Sequence, residues 1–513
     1  MFFRTVLVAF FLPFFLFAAM AAHGETSASA DTLKLAPQTP LATSMPLDSF
    51  LPTLFIAGDS TARAGGSSRS YIREGAWDRE LAETTPGAFL LGGAQVAEPA
   101  THGASQPSEW KLLCSAAAHR GADSLASARY QQGVQDFGFD GTGLPQMSDG
   151  TCSSGAAFYI SVTEPDGNYR VTVTLGSKVA AAETAVKAEA RRLMLQEIAT
   201  QPDQTVKRSF VVNVRTPEVT PTEDVRLKPR EIGNFDWDGK LTLEFTGEHP
   251  AVQSIEVAPA RLPTIYIAGD STVVDQDKEP WAAWGQILPV FFNDKIAIAN
   301  DAESGETIAS FVSEKRFDKI FSTIRAGDYL LMQFAHNDQK LGRGFVPIPE
   351  YKDLLRKYIA MARELGAYPI LVTSMNRRNF SPAGKIVATL GDYPDAMREV
   401  AHEQKVPLID LNAMSETLFE AMGPQGTLEA FVHYPANTFP GQDEPLNDNT
   451  HFNSYGALEL AKCIIESLRD QHLPLARFLR RGIPHFDPAH PDPPSAWRIP
   501  TDPFISEQKP YER

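Results

Sequence analysis

Pro263-Thr264-Ile265-Tyr266-Ile267-Ala268-Gly269-Asp270-Ser271-Thr272 is a short apolar run that ends in Gly-Asp-Ser-Thr. The pattern reads as a buried strand that breaks into a tight turn and presents a serine. The chain writes nearly the same phrase earlier, as Pro52-Thr53-Leu54-Phe55-Ile56-Ala57-Gly58-Asp59-Ser60-Thr61. A serine is a weak nucleophile unless a base, an orienting acid and oxyanion donors surround it. The residues downstream of each copy therefore decide which serine carries chemistry.

Beyond the second copy, strand-like and helix-like runs alternate. Strands are expected at 264–268, 329–334, 369–373 and 406–410. Helices are expected at 281–292, 351–365, 396–404 and 454–468. Such alternation predicts a mostly parallel sheet covered by helices on both faces, with ligands at the carboxyl ends of the strands. Four polar islands fall at those ends: Gly269-Asp270-Ser271-Thr272, Asn300-Asp301-Ala302-Glu303-Ser304-Gly305, His336-Asn337-Asp338 and Asp448-Asn449-Thr450-His451. Together they supply what acyl transfer needs. Ser271 would attack a carbonyl, His451 would carry the proton, and Asp448 would hold the imidazole in one tautomer. The Ser271 N–H, the Gly305 N–H and the Asn337 side-chain amide would stabilise the oxyanion. Each island alone is a weak signal, and their order along the chain makes the set specific.

These blocks resemble the SGNH (GDSL) hydrolase superfamily, and in detail the rhamnogalacturonan acetylesterases. The resemblance is carried by Ala268-Gly269-Asp270-Ser271-Thr272, by Gln333-Phe334-Ala335-His336-Asn337-Asp338 and by Asp448-Asn449-Thr450-His451-Phe452-Asn453-Ser454-Tyr455-Gly456-Ala457. Ser374-Met375-Asn376-Arg377-Arg378-Asn379-Phe380 adds to it. It implies a flavodoxin-like three-layer α/β/α fold and removal of acetyl groups from a pectin backbone, with no cofactor; separately, no cysteine pair has zinc-site spacing, so no metal is indicated. The partner it implies is an acetylated polysaccharide. Ala335 and Glu306-Thr307 depart from the family pattern, and Glu306 would lie at the pocket rim and bear on substrate choice. Arg377 and Arg378 are candidates for holding a uronic carboxylate. Trp281 and Trp284 are candidates for lining a sugar site, against the alternative that apolar helix residues face the core.

Residues 109–258 carry short strands at regular spacing, with turn signals at Pro165-Asp166-Gly167-Asn168 and Asp236-Trp237-Asp238-Gly239. They suggest a β-sandwich ahead of the hydrolase region 263–475. The stretch 180–196 also reads as a helix. Gly167-Asn168-Tyr169-Arg170-Val171-Thr172-Val173 resembles the galactose-binding-like module found ahead of some of these esterases.

The first copy, within 51–92, looks like a truncated duplicate. Gly65 and Phe89-Leu90-Leu91 match Gly305 and Tyr329-Leu330-Leu331 at an offset of 240. The two Gly-Asp-Ser-Thr elements stand 211 apart, so the first copy lacks 29 positions. It has no His-Asn-Asp and no Asp-x-x-His of its own, and Ser60 is not expected to be catalytic.

The whole chain has 513 residues, which implies several domains. Its net charge of -16 argues against a nucleic-acid partner. Residues 1–22, with Arg4 ahead of the apolar run 5–18 and Ala19-Met20-Ala21 after it, read as a secretory signal. A secreted or periplasmic protein is expected, without a membrane span after signal cleavage, since no later run is apolar enough. Residues 23–50 read as a linker and 476–513 as a Pro-rich irregular tail. Of the three cysteines, Cys114 and Cys152 are compatible with a disulfide in an exported protein, while Cys463 reads as a buried thiol.

Overall fold

A computed structural model describes residues 107–115, 121–126, 128–141, 143–342, 344–499, 505–506 and 509–510. The expected signal 1–22, the linker 23–50 and the first copy 51–92 with Ser60 lie outside the described residues.

The second Gly-Asp-Ser-Thr phrase opens a five-stranded parallel sheet. Its strands are β1 (Thr264–Gly269), β2 (Ala297–Asn300), β3 (Tyr329–Gln333), β4 (Tyr368–Val372) and β5 (Leu408–Ile409), in spatial order β2-β1-β3-β4-β5. This is the doubly wound order of flavodoxin-like sheets. Every residue of β1 is buried, so its apolar run faces core on both sides. Ile265 and Ile267 enter one hydrophobic cluster, whereas Tyr266 and Ala268 enter another across the sheet. The period of two along the strand thus separates two cores.

On the face of Ile265 pack α1 (Trp284–Ile287), α6 (Leu411–Gly426) and α7 (Ser454–Asp470). On the other face pack α2 (Ile308–Ser313), α3 (Arg316–Thr323), α4 (Ile348–Glu364) and α5 (Tyr393–Gln404). A hairpin of β6 (Phe431–Tyr434) and β7 (Leu446–Phe452) precedes α7. The expected helix 281–292 is shorter than its apolar length implies. Only Trp284–Ile287 is α-helical, and Leu288–Phe291 continues as a 3-10 turn with Pro289 in its first turn. Pro280 precedes the run and Pro289 interrupts it, and nearly all of it is buried. Hydrophobicity alone therefore cannot mark its period.

Ahead of the parallel sheet lie two antiparallel sheets that share one core. The first orders Val206–Val214, Gly167–Leu175, Ala251–Pro259 and Trp110–Leu113, with a short parallel partner at Asp123–Ser124. The second orders Phe137–Asp140, Phe158–Thr163, Lys240–Thr246, Ala182–Ala188 and Arg192–Thr200. Val171, Val173 and Ile255 of the first meet Phe158, Leu243 and Phe245 of the second in a single cluster. The stretch 180–196 is a pair of strands and not a helix. Glu189 and Arg191 take left-handed φ values of 54° and 64°, which turn the chain sharply between them.

Cys114 and Cys152 are bonded, with Cα atoms 5.3 Å apart, and Cys463 is a buried free thiol. The bridge joins positions 38 apart in sequence, and closing such a loop restricts the unfolded chain by about 4 kcal/mol. A Cys114→Ser/Cys152→Ser variant should therefore unfold at lower urea concentration than the parent. An unchanged midpoint under oxidising conditions would contradict a stabilising bridge.

Candidate active site

The turn after β1 presents Ser271. Val273 and Val274 N–H groups donate back to the Asp270 carbonyl at 3.0 and 3.1 Å. The Asp270 carboxylate accepts from the Thr272 N–H at 2.9 Å and from the Thr272 hydroxyl at 2.8 Å. Complete burial raises its carboxyl above the usual range, against the pull of those bonds. Gln333, at the end of β3, donates to the Thr272 hydroxyl at 2.8 Å and accepts from Trp284 Nε1 at 2.9 Å. The strand end permits no side chain at 269: a Cβ there would stand 2.7 Å from Val273 Cγ2 and 3.1 Å from the Gln333 carbonyl.

The hairpin delivers the partners. His451 Nε2 lies 2.8 Å from Ser271 Oγ, and His451 Nδ1 lies 2.8 Å from Asp448 Oδ2. Asp448 Oδ1 also accepts the N–H groups of Thr450 at 2.6 Å and His451 at 2.9 Å. Burial opposes ionisation of Asp448, but the imidazole and the two N–H groups outweigh it and hold the carboxyl well below the usual range. An ionised Asp448 selects the tautomer with hydrogen on Nδ1, which leaves Nε2 to accept the Ser271 proton. The indole of Trp281 meets the imidazole edge-on, with centroids 5.8 Å apart. Asn453 caps α7 by accepting from the Gly456 N–H at 3.0 Å, which anchors the chain just past His451.

Asn337 is buried with a determined amide orientation. Its Nδ2 donates to the Glu306 carbonyl at 3.0 Å, and its Oδ1 accepts from Lys340 at 3.0 Å. Gly305 takes φ +78°, which glycine adopts without strain. The neighbouring His336 is buried, and burial with the nearby Arg377 charge pushes it well below its usual range, so it stays neutral.

The remaining candidates differ in placement. Trp284 is wholly buried beneath β3, so the core alternative describes it, while Trp281 borders the cleft. Arg377 donates to the His336 carbonyl at 3.0 Å and to Thr389, and Arg378 donates to Asn449 at 3.2 Å and to the Pro424 carbonyl at 2.5 Å. Both guanidinium groups thus hold loops together. Glu306 is not at the rim: it is completely buried, accepts from the Ser310 hydroxyl at 2.6 Å and pairs with Lys228.

A cleft of about 770 Å³ borders the site, and its walls include Trp281, Ser304, Asn337, Lys228, Arg230 and Lys509. Three of these were not foreseen in the sequence. Lys228 and Arg230 come from the loop between the front strands Val206–Val214 and Lys240–Thr246, and Lys509, 3.4 Å from Asp448 Oδ2, comes from the tail. Trp281 Nε1 donates to the Ser506 carbonyl at 2.9 Å, which seats the tail here. A basic residue on a distant loop carries no local motif.

With this geometry in view, comparison with known proteins places the chain. The profile of the GDSL-like lipase/acylhydrolase family matches residues 267–457. The rhamnogalacturonan acetylesterase RhgT of Bacillus subtilis (strain 168) is 43% identical over 225 residues, 43% of this chain and 97% of that protein. The probable rhamnogalacturonan acetylesterase YesY of the same organism is 36% identical over 218 residues, 41% of this chain and 94% of that protein. The solved structure of Bacillus subtilis YxiM aligns with a TM-score of 0.40 at 24% identity, covering 72% of this chain and 99% of that one. The chain belongs to the GDSL-like lipase/acylhydrolase family, and it is a carboxylic ester hydrolase.

Asp338 gives a test of the site's electrostatics. Its Oδ1 accepts from the Ile308 N–H at 2.8 Å, and burial pushes its carboxyl up to about 8. The unfolded chain releases that proton near pH ~4. Between these values the folded state binds more protons, so this group makes stability fall as pH rises. Asp338→Asn keeps the acceptor and removes the titration. Its thermal midpoint should gain on the parent's from about pH 4 to 8, and a constant offset would contradict the assignment.

Proposed function

We propose that the protein is an exported serine esterase that removes acetyl groups from a plant cell-wall polysaccharide, with rhamnogalacturonan as its polymer. The observation that carries the chemistry is the chain of two 2.8 Å hydrogen bonds from Ser271 through His451 to Asp448. The polymer rests on the 43% identity to a relative named as a rhamnogalacturonan acetylesterase.

In this reading Ser271 Oγ attacks the acetyl carbonyl while His451 Nε2 takes its proton. The carbonyl oxygen becomes an oxyanion, held by the N–H groups of Ser271 and Gly305 and by the second N–H of Asn337 Nδ2. Collapse breaks the bond to the sugar oxygen, which leaves as the alcohol with the proton from His451. Water, deprotonated by His451, then attacks the acetyl-enzyme, and a second oxyanion collapses to acetate and free Ser271. No cofactor enters. The front sheets act as a galactose-binding-like module that holds the glycan. Residues 1–22 direct export, so the enzyme meets its polymer in a secreted or periplasmic setting.

Ser271→Ala should nearly abolish hydrolysis of a small acetyl ester, while Ser60→Ala should leave it intact; the opposite pattern would reverse the assignment. Asn337→Ala should lose on the order of 10²–10³ in kcat. Unchanged turnover would remove Asn337 from the oxyanion hole. Acetate release should be fastest from acetylated rhamnogalacturonan, compared with acetylated homogalacturonan and xylan. A preference for xylan, or for long-chain synthetic esters, would overturn the polymer.

A further inference from the structure

The segment that carries Gly305 is gripped from the front sheets' side. The Arg226 N–H donates to the Glu314 carbonyl at 3.0 Å. Glu231 forms a two-pronged pair with Arg316, at 3.0 and 2.6 Å, and both are buried. These contacts dock the loop 226–231 against 303–316. Between them, Lys228 Nζ donates to the Ser304 carbonyl at 2.7 Å and pairs with the Glu306 carboxylate. Arg230 also donates to the Ser304 carbonyl, and its Nε donates to Glu303 Oε1 at 2.7 Å. Two cations therefore share one carbonyl oxygen.

That oxygen and the Gly305 nitrogen belong to a single peptide unit. A peptide followed by glycine can rotate as a plane, because glycine tolerates φ of either sign. Rotation would turn the Gly305 N–H away and aim the Ser304 carbonyl in its place. Neutralising contacts on the carbonyl oxygen oppose that rotation, since an oxygen turned inward would give up both charge-assisted hydrogen bonds. They also draw charge toward the oxygen and make the N–H a stronger donor.

We propose that Lys228 and Arg230, supplied by the front module, are positioning residues that aim and polarise the Gly305 N–H as an oxyanion donor. The proposal rests on the reading of Ser271 as nucleophile and of Gly305 as part of the oxyanion hole. The front module then completes the catalytic site, beyond any part it takes in holding the glycan. The neighbouring glutamates fit this role. Glu303 and Glu306 hold the two cations over the carbonyl, and the unusual Glu306 becomes the counter-charge that lets Lys228 be drawn in.

The test is a Lys228→Met/Arg230→Met variant of the full chain, assayed on p-nitrophenyl acetate and for inhibition by a short alkylboronic acid. The boronate forms a tetrahedral adduct on serine and so reports the oxyanion site separately from substrate binding. The variant should lose on the order of 10–10² in kcat, less than removal of a donor outright, with KM nearly unchanged. Its boronate affinity should fall by a similar factor, and Arg230→Lys should recover turnover relative to Arg230→Met. Unchanged kcat, or a kcat loss with boronate affinity intact, would overturn the proposal. If the double variant does not fold, Arg230→Gln carries the same test, because that side chain is partly exposed, and unchanged kcat there overturns it equally. Ser271→Ala assayed alongside separates the two readings. If it remains active, the esterase assignment fails. If it is inactive while the loop variant is fully active, only the positioning role fails.

Discussion

Arg192, Arg215 and Arg316 are withdrawn from water where the front sheets meet the hydrolase region, and a buried guanidinium is tolerable only when its partners are in place. Arg192 from the front sheets pairs with Asp275 at 2.8 Å across the seam and with Asp236 at 3.2 Å on its own side. Arg215 donates to the Asn300 carbonyl at the end of β2 at 2.7 Å and stacks on Trp237 at 4.5 Å. Arg316 reverses the arrangement, reaching from α3 to Glu231 of the front loop. Loss of one partner from such a pair costs about 3–5 kcal/mol, because the remaining charge stays buried. The seam therefore holds the two parts in one register.

That register matters because the seam runs along the carboxyl ends of β1 and β2, where the chemistry sits. Asn300, whose carbonyl Arg215 holds, donates to the Val273 carbonyl at 2.8 Å in the Ser271 turn. Ser271 itself is fixed by backbone turns, by Asp270 and by Gln276, which donates to its carbonyl at 2.8 Å. His451 arrives from the opposite side on the hairpin, held by the cap of α7. A site built from a rigid strand end, a capped helix and a charged seam needs little rearrangement when charge develops on the ester oxygen.

Much of this was legible in the chain. The β1, β3 and β4 runs are apolar and end in polar islands, so their place in the sheet follows from period and punctuation. Ser271, Asp448 and His451 share one motif grammar, and the structure brings them within hydrogen-bond distance. The short β2 strand and the Trp284–Ile287 helix were harder, since they are fully buried and only a few residues long. Ala-rich 180–196 has helix-forming composition, and the sharp turn at Glu189 and Arg191 shows only once the partners of Arg191 and Arg192 are known. Lys228, Arg230 and Lys509 stand far from the islands in sequence. Only the docked loop and the seated tail bring them to the cleft, so nothing local could have marked them.

The central claim is that one serine, at the end of β1, is activated by His451 and Asp448. Peptide mapping by mass spectrometry after inactivation with a fluorophosphonate tests it most directly. A single adduct on the peptide that contains Ser271, formed in step with loss of activity, is the predicted result. An adduct on the peptide that contains Ser60, or full inactivation with Ser271 unmodified, would contradict it.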